Sequence, residues 1–133
     1  MTIGKDLPYR PLTRHEREVL DKLLEPSFPG RDELLAQVKL ARARELDDDG
    51  CIEFSRVPAA RSQAQFSIPT EGEYRDVEGI TLHVQLHVVD GFVKQLELYK
   101  EDGSIPTGLP PASELRVFAA HSKEAGTWNR DEK

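Results

Sequence analysis

Between residues 80 and 99 the chain alternates apolar and polar side chains on either side of an Asp90-Gly91 pair. Ile80, Leu82, Val84, Leu86 and Val88 recur at every second position before it. Phe92, Leu96 and Leu98 follow on the return, with Lys94 interrupting. A period of two belongs to strands with one buried face, and a glycine turn between two such runs makes an antiparallel hairpin. The apolar face must be covered by a second layer, because an isolated hairpin is barely stable in water. Two registers compete. A two-residue Asp90-Gly91 turn pairs Val89 with Phe92 and puts the two apolar sets on opposite faces. A three-residue loop, Val89-Asp90-Gly91, pairs Val88 with Phe92 and unites them, with Gly91 at the left-handed G1-bulge position. Register follows the buried face, so the three-residue loop is expected.

The covering layer is found upstream. Thr13-Arg14-His15-Glu16 reads as a capping box, with Thr13 and Glu16 each bonding the other's amide. The helix it opens, about 14–24, carries Val19, Leu20, Leu23 and Leu24 on one stripe. Pro26 and Pro29 end it, and Phe28 between them is expected to plug the core. Gly30-Arg31-Asp32 opens a second helix, about 31–40, whose apolar face is Leu34, Leu35 and Val38. From residue 41 the period falls toward two, and the Asp47-Asp48-Asp49-Gly50 turn joins a short hairpin with Leu46, Ile52 and Phe54 inward. Residues 58–72 read as a loop or a short edge strand anchored by Phe66 and Ile68, 73–77 as a strand, and 115–118 as a short final strand.

The expected fold class is α+β, with two N-terminal helices packed on a mostly antiparallel β-meander of four to six strands. Residues 1–118 form one domain in this reading, and 119–133 a polar, frayed tail in which Trp128 alone suits an anchor. A chain of 133 residues is long enough for a core without disulfides. Cys51, the single cysteine, reads as a strand residue with no basic neighbour to activate it. The first residues lack the apolar stretch of a secretory signal, and no apolar run approaches the roughly 20 residues of a membrane span. A cytoplasmic protein is expected.

The net charge is −6, and residues 68–133 carry −5 of it. Acidity of this kind disfavours nucleic acid, whose phosphates dominate affinity, and suits a basic protein partner. No G-x-S-x-G, P-loop or G-x-G-x-x-G pattern occurs. A metal pair of His83 and His87 fails, because four residues of strand span about 13 Å. Aligning Gly50 with the glycine of a calcium loop leaves Arg56 where a bidentate Glu is required. No metal and no cofactor are expected.

The chosen register leaves a polar hairpin face. It sets Thr81, His83, Gln85 and His87 opposite Tyr99, Glu97, Gln95 and Val93. His83 across from Glu97, with Tyr99 beside them, is the candidate site for general base chemistry, since a carboxylate orients an imidazole and raises its pKa. Thr81, Gln85, His87 and Gln95 are the ligand-binding candidates around it. Arg42, Arg44 and Arg56, with Arg61, form a second candidate group that can receive an anion.

Residues 9–13 (Tyr-Arg-Pro-Leu-Thr), 28–37 (Phe28 to Gln37), 83–91 (His-Val-Gln-Leu-His-Val-Val-Asp-Gly) and 96–106 (Leu96 to Pro106) together resemble an uncharacterised family of small bacterial α+β proteins. The resemblance covers roughly residues 9–118 and implies a domain of unknown function. The 96–106 segment is also similar to the closing strand of immunity-type proteins of bacterial toxin systems, which implies a non-enzymatic, acidic binder of a toxin domain. Two readings follow. One is a binding module for a basic protein; the other is a small enzyme or ligand-binding protein using His83, Glu97 and Tyr99. A homodimer joined through the sheet is compatible with both.

Overall fold

A computed structural model describes residues 7–120. The elements run β1 (Arg10–Pro11), α1 (Arg14–Leu23), α2 (Arg31–Leu40), β2 (Arg42–Glu45), β3 (Ile52–Phe54), β4 (Thr70–Arg75), β5 (Thr81–Val89), β6 (Phe92–Lys100) and β7 (Arg116–Ala119). A 3-10 turn, Ala112–Glu114, precedes β7. The fold is α+β with an antiparallel sheet, but the sheet has seven strands rather than four to six, in the order β1-β2-β3-β6-β5-β4-β7. It is not a simple meander: β3 pairs with β6, so the chain crosses over through residues 55–69 before β4 returns on the far side of β5. The strand beyond those expected is β1, at one edge; β7, where a short final strand was expected at 115–118, forms the other edge. β1 has two residues and contains Pro11, and β7 pairs along β4.

Helix α1 forms as its signals dictate. Thr13 Oγ1 accepts from the Glu16 amide at 3.0 Å, and Glu16 Oε1 accepts from the Thr13 amide at 2.9 Å. Both helices pack on the sheet face bearing Leu82, Val84, Leu86, Leu96 and Leu98. Val19, Leu20, Leu23, Leu34 and Val38 join those residues in one buried core. Leu35 is only half-buried, and the buried face of α2 is completed by Gln37 instead.

The register of the main hairpin differs from expectation. Val89 pairs with Phe92 across a two-residue Asp90-Gly91 turn. Asp90 has φ 53° and Gly91 φ 81°, the double left-handed conformation of a type I′ turn. The extra residue that reunites the apolar sets sits not in the turn but at a bulge: His87 pairs with Gln95, and Val88 with Val93, leaving Lys94 unopposed. Phe92 therefore lies on the outer face, half-buried, and Val93 takes the core position. The type I′ turn wins because its twist matches the strands, and Lys94 is a residue that tolerates being set out of register.

The crossover is neither strand nor unattached loop. Ser62 Oγ donates to Gly30 O at 2.7 Å, and the Ser62 amide to Gly91 O at 2.8 Å. The Val88 amide donates to Ser67 O at 2.8 Å. Phe66 is exposed and anchors nothing inside. Trp128 and the segment from residue 121 onward lie outside the described residues.

Candidate functional site

The sheet face turned away from the helices carries the candidate residues, because outer positions alternate with core positions along each strand. On β5 these are Thr81, His83, Gln85 and His87. On β6 they are Gln95, Glu97 and Tyr99, and on β4 they are Glu71, Glu73 and Arg75. With the two-residue turn and the bulge at Lys94, every pair on this face moves by two residues from the expected one. His83 lies opposite Tyr99, Gln85 opposite Glu97, and His87 opposite Gln95. Thr81 meets Glu101, whose amide donates to its carbonyl at 3.0 Å. The expected His83–Glu97 pair is not formed. Glu97 instead accepts from His87 Nε2 at 2.8 Å, diagonally across the two strands.

His83 is nonetheless the centre of the face. Its Nδ1 hydrogen-bonds Glu71 Oε2, and its Nε2 hydrogen-bonds Glu101 Oε2 at 2.7 Å. Tyr99 stacks on the imidazole, with ring centroids 4.8 Å apart and planes 13° from parallel. Gln85 Nε2 donates to the second oxygen of Glu71 at 2.7 Å. Glu71 is 1% exposed and His83 7%. A carboxylate so buried needs a charged or hydrogen-bonding partner on each oxygen, and His83 and Gln85 supply them. Burial alone would pull the imidazole pKa down, but the hydrogen bonds to Glu71 and Glu101 outweigh it and push it up to about 9. At neutral pH the ring is therefore an imidazolium donating from both nitrogens. Such a group can donate a proton or bind an anion's oxygen, but it is a poor general base, which revises the chemistry expected of it.

Glu71 and Glu101 were absent from the expected site. Glu71 fell in the undecided stretch before residue 73, and Glu101 in a turn. The alternation of Thr70, Gly72 and Tyr74 with Glu71, Glu73 and Arg75 is the signal that places Glu71 on the outer face, but it appears only once β4 is known to start at Thr70. Glu71, Glu73 and His83 also bring one ligand atom each within 4.8 Å of one another. A carboxylate–carboxylate–imidazole set of this kind suits a divalent ion in principle. Here both imidazole nitrogens are committed to carboxylates, so an ion would have to displace a bound proton.

The arginines separate into two groups. Arg44 pairs with Glu53 at 2.9 Å and lies 4.4 Å from the Tyr9 ring centroid, and Arg42 reaches Tyr9 O at 3.3 Å. Arg56, just beyond the end of β3, lies over Phe92. Cys51 is buried, its Sγ 3.3 Å from the Leu98 amide nitrogen, and burial raises its thiol pKa to about 11, far from a reactive thiolate. Among the described residues no helix is long and apolar enough to cross a membrane.

The family described as a domain of unknown function, DUF6984, matches residues 9–110. The chain belongs to this family. The match spans β1 through β6 and both helices, and so includes the imidazole and all three carboxylates around it. No curated protein and no solved structure matches. Membership in DUF6984 therefore brings no activity with it, and the function is unknown.

Proposed function

We propose that this protein is a binding module that takes a basic protein partner on the outer face of its sheet, around Glu73, His83 and Glu101. The observation that carries the reading is the charge balance of that cluster. Three carboxylates, Glu71, Glu73 and Glu101, converge on the one imidazole of His83, so the centre of the cluster is negative even with a proton on the ring, while Arg75 and Arg116, the latter opposite Glu73, border it on the β4–β7 side. Glu97 adds to the same face, hydrogen-bonded to His87. A negative patch on a pleated, rigid surface attracts and orients cationic side chains and speeds their encounter. The net charge of −6 acts in the same direction at longer range. Immunity to a basic toxin domain is one form such a role can take. The enzyme reading loses its general base, because the imidazole already holds its proton at neutral pH.

The test is calorimetric titration of the full chain with an oligo-arginine peptide, at low and physiological salt. Binding that weakens with salt, and that weakens about tenfold in Glu73→Gln, supports the proposal. Glu73 makes no hydrogen bond to His83, so the variant keeps the hydrogen bonds of His83 to Glu71 and Glu101 intact. A Glu18→Gln variant on the exposed side of α1 is the control. Equal loss in both variants, or no loss in Glu73→Gln, would assign binding to overall charge and remove the proposed face.

A further inference from the structure

The turn end of the sheet has a chemistry opposite to that of the His83 cluster. A cavity of about 190 Å³ opens there, lined by Phe54, Arg56, Val89, Asp90, Phe92 and Lys94 among others. The Arg56 guanidinium carbon lies 3.9 Å from the Phe92 ring centroid, and that of Arg61 lies 5.9 Å from the same ring. We propose that this cavity binds a small oxyanion, a carboxylate or a phosphate carried on a compact organic body, with Arg56 in its lining and Arg61, beside the same Phe92 ring but outside the lining, as the two ligands.

Three observations support this. The first is the state of the two guanidinium groups. Arg10, Arg14, Arg31 and Arg44 each have a carboxylate partner, whereas Arg56 and Arg61 are two arginines without one that share a single aromatic ring. Neither Arg56 nor Arg61 forms an ion pair within 4.0 Å among the described residues. A guanidinium held by its face on an aromatic ring keeps its N–H edges available, and those edges match two oxygens of a carboxylate or phosphate.

The second is that the site is held in shape before any ligand arrives. Arg61 precedes Ser62, whose amide is bonded to Gly91 O at 2.8 Å. Gln37 Nε2 bonds both Ala60 O and Gly91 O, at 2.8 and 2.9 Å. The approach is so close that a Cβ on Gly91 would lie 2.3 Å from Arg61 Cγ. The chain that carries Arg61 is thus fastened to the turn that carries Phe92, and little ordering is left to be done on binding.

The third is the local charge. Lys94 is engaged by Glu53 at 2.8 Å and contributes no free charge. Asp90 on the rim opposes an anion, so one arginine would be neutralised and two are needed. Six strand steps along β5 separate His83 from Val89, about 20 Å, so this site is independent of the acidic face.

The experiment is a nitrogen–proton correlation titration of the full chain at constant ionic strength, following backbone amides and arginine Nε–Hε groups. Inorganic phosphate is added in one arm and benzoate in the other. Saturable shifts at Arg56, Arg61 and the Phe92 and Val93 amides are expected in at least one arm, and the arm that saturates names the class of anion. The double variant Arg56→Lys/Arg61→Lys keeps both charges and removes both planar forks, and should bind about tenfold more weakly or worse. No saturation in either arm would overturn the proposal. Equal binding by the lysine variant would also overturn it, by showing general charge attraction without a site.

Discussion

Gln37 has no exposed surface, yet every polar atom of its side chain is used. Its Nε2 donates to Ala60 O and Gly91 O, and its Oε1 accepts from the Val93 amide at 2.9 Å. That amide lies beside the bulge at Lys94, and a helix side chain satisfies this buried donor. Gln37→Leu should therefore lower unfolding free energy by about 2–4 kcal/mol in urea titration, because it orphans buried groups rather than only deleting bonds. His83 makes a pH-dependent prediction at the same scale. Its folded pKa of about 9 exceeds the unfolded value of about 6.5, so its stabilisation is complete below pH 6.5 and lost as pH rises through 9. Stability should fall by on the order of 1–3 kcal/mol across that window, and His83→Gln should flatten the slope. An imidazole titrating near 6.5 by NMR would contradict this.

At the scale of elements, the type I′ turn and the bulge act as one device. The turn sets the strands' twist, and the bulge restores the parity of the buried face four residues later. Gly91 is required twice over, by its φ of 81° and by the approach of Arg61 and Ser62. Gly79 has nearly the same backbone conformation, φ 82°, with nothing within 4 Å of a Cβ. Gly79→Ala should cost about 1–2 kcal/mol, the penalty of a left-handed alanine. Gly91→Ala should cost clearly more, and the difference between their thermal denaturation midpoints measures the docking of the crossover. The capping box gives a milder effect: Thr13→Ala should destabilise by about 1 kcal/mol.

At the scale of the molecule, order should decay outward from the β5–β6 pair. Both strands are flanked on each side, whereas β1 and β7 are edges. β1 is held to its neighbours by Arg10, which bonds Glu16 at 2.9 Å and Glu45 at 2.6 Å. Hydrogen exchange should be slowest at the amides of residues 82–88 and 95–99 and fastest at β1, and Arg10→Met should accelerate exchange at β1 and β2 first. Slow exchange at β1 in that variant would mean that strand pairing, not the ion pairs, holds the edge. The same arrangement separates charge across the outer face, carboxylates around His83 and unpaired arginines around Phe92.

Local chemistry determined much of this protein. The capping box, the 31–40 helix, the Asp-rich hairpin turn and the period-two runs were legible because each depends on residues a few positions apart, whose spacing shows on the chain. The composition of the outer face was legible too, since alternation alone assigns His83, Gln85 and His87 to it. The partners on that face were decided only by the tertiary structure. A bulge shifts every pair yet leaves the alternation on either side intact, so the two-residue turn and the bulge at Lys94 together exchanged Glu97 for Tyr99 opposite His83. Glu71 and Glu101 came from a strand start and a strand end, where pattern is weakest. They reach His83 because β4 docks beside β5, a pairing set by the shared core and by no short-range signal.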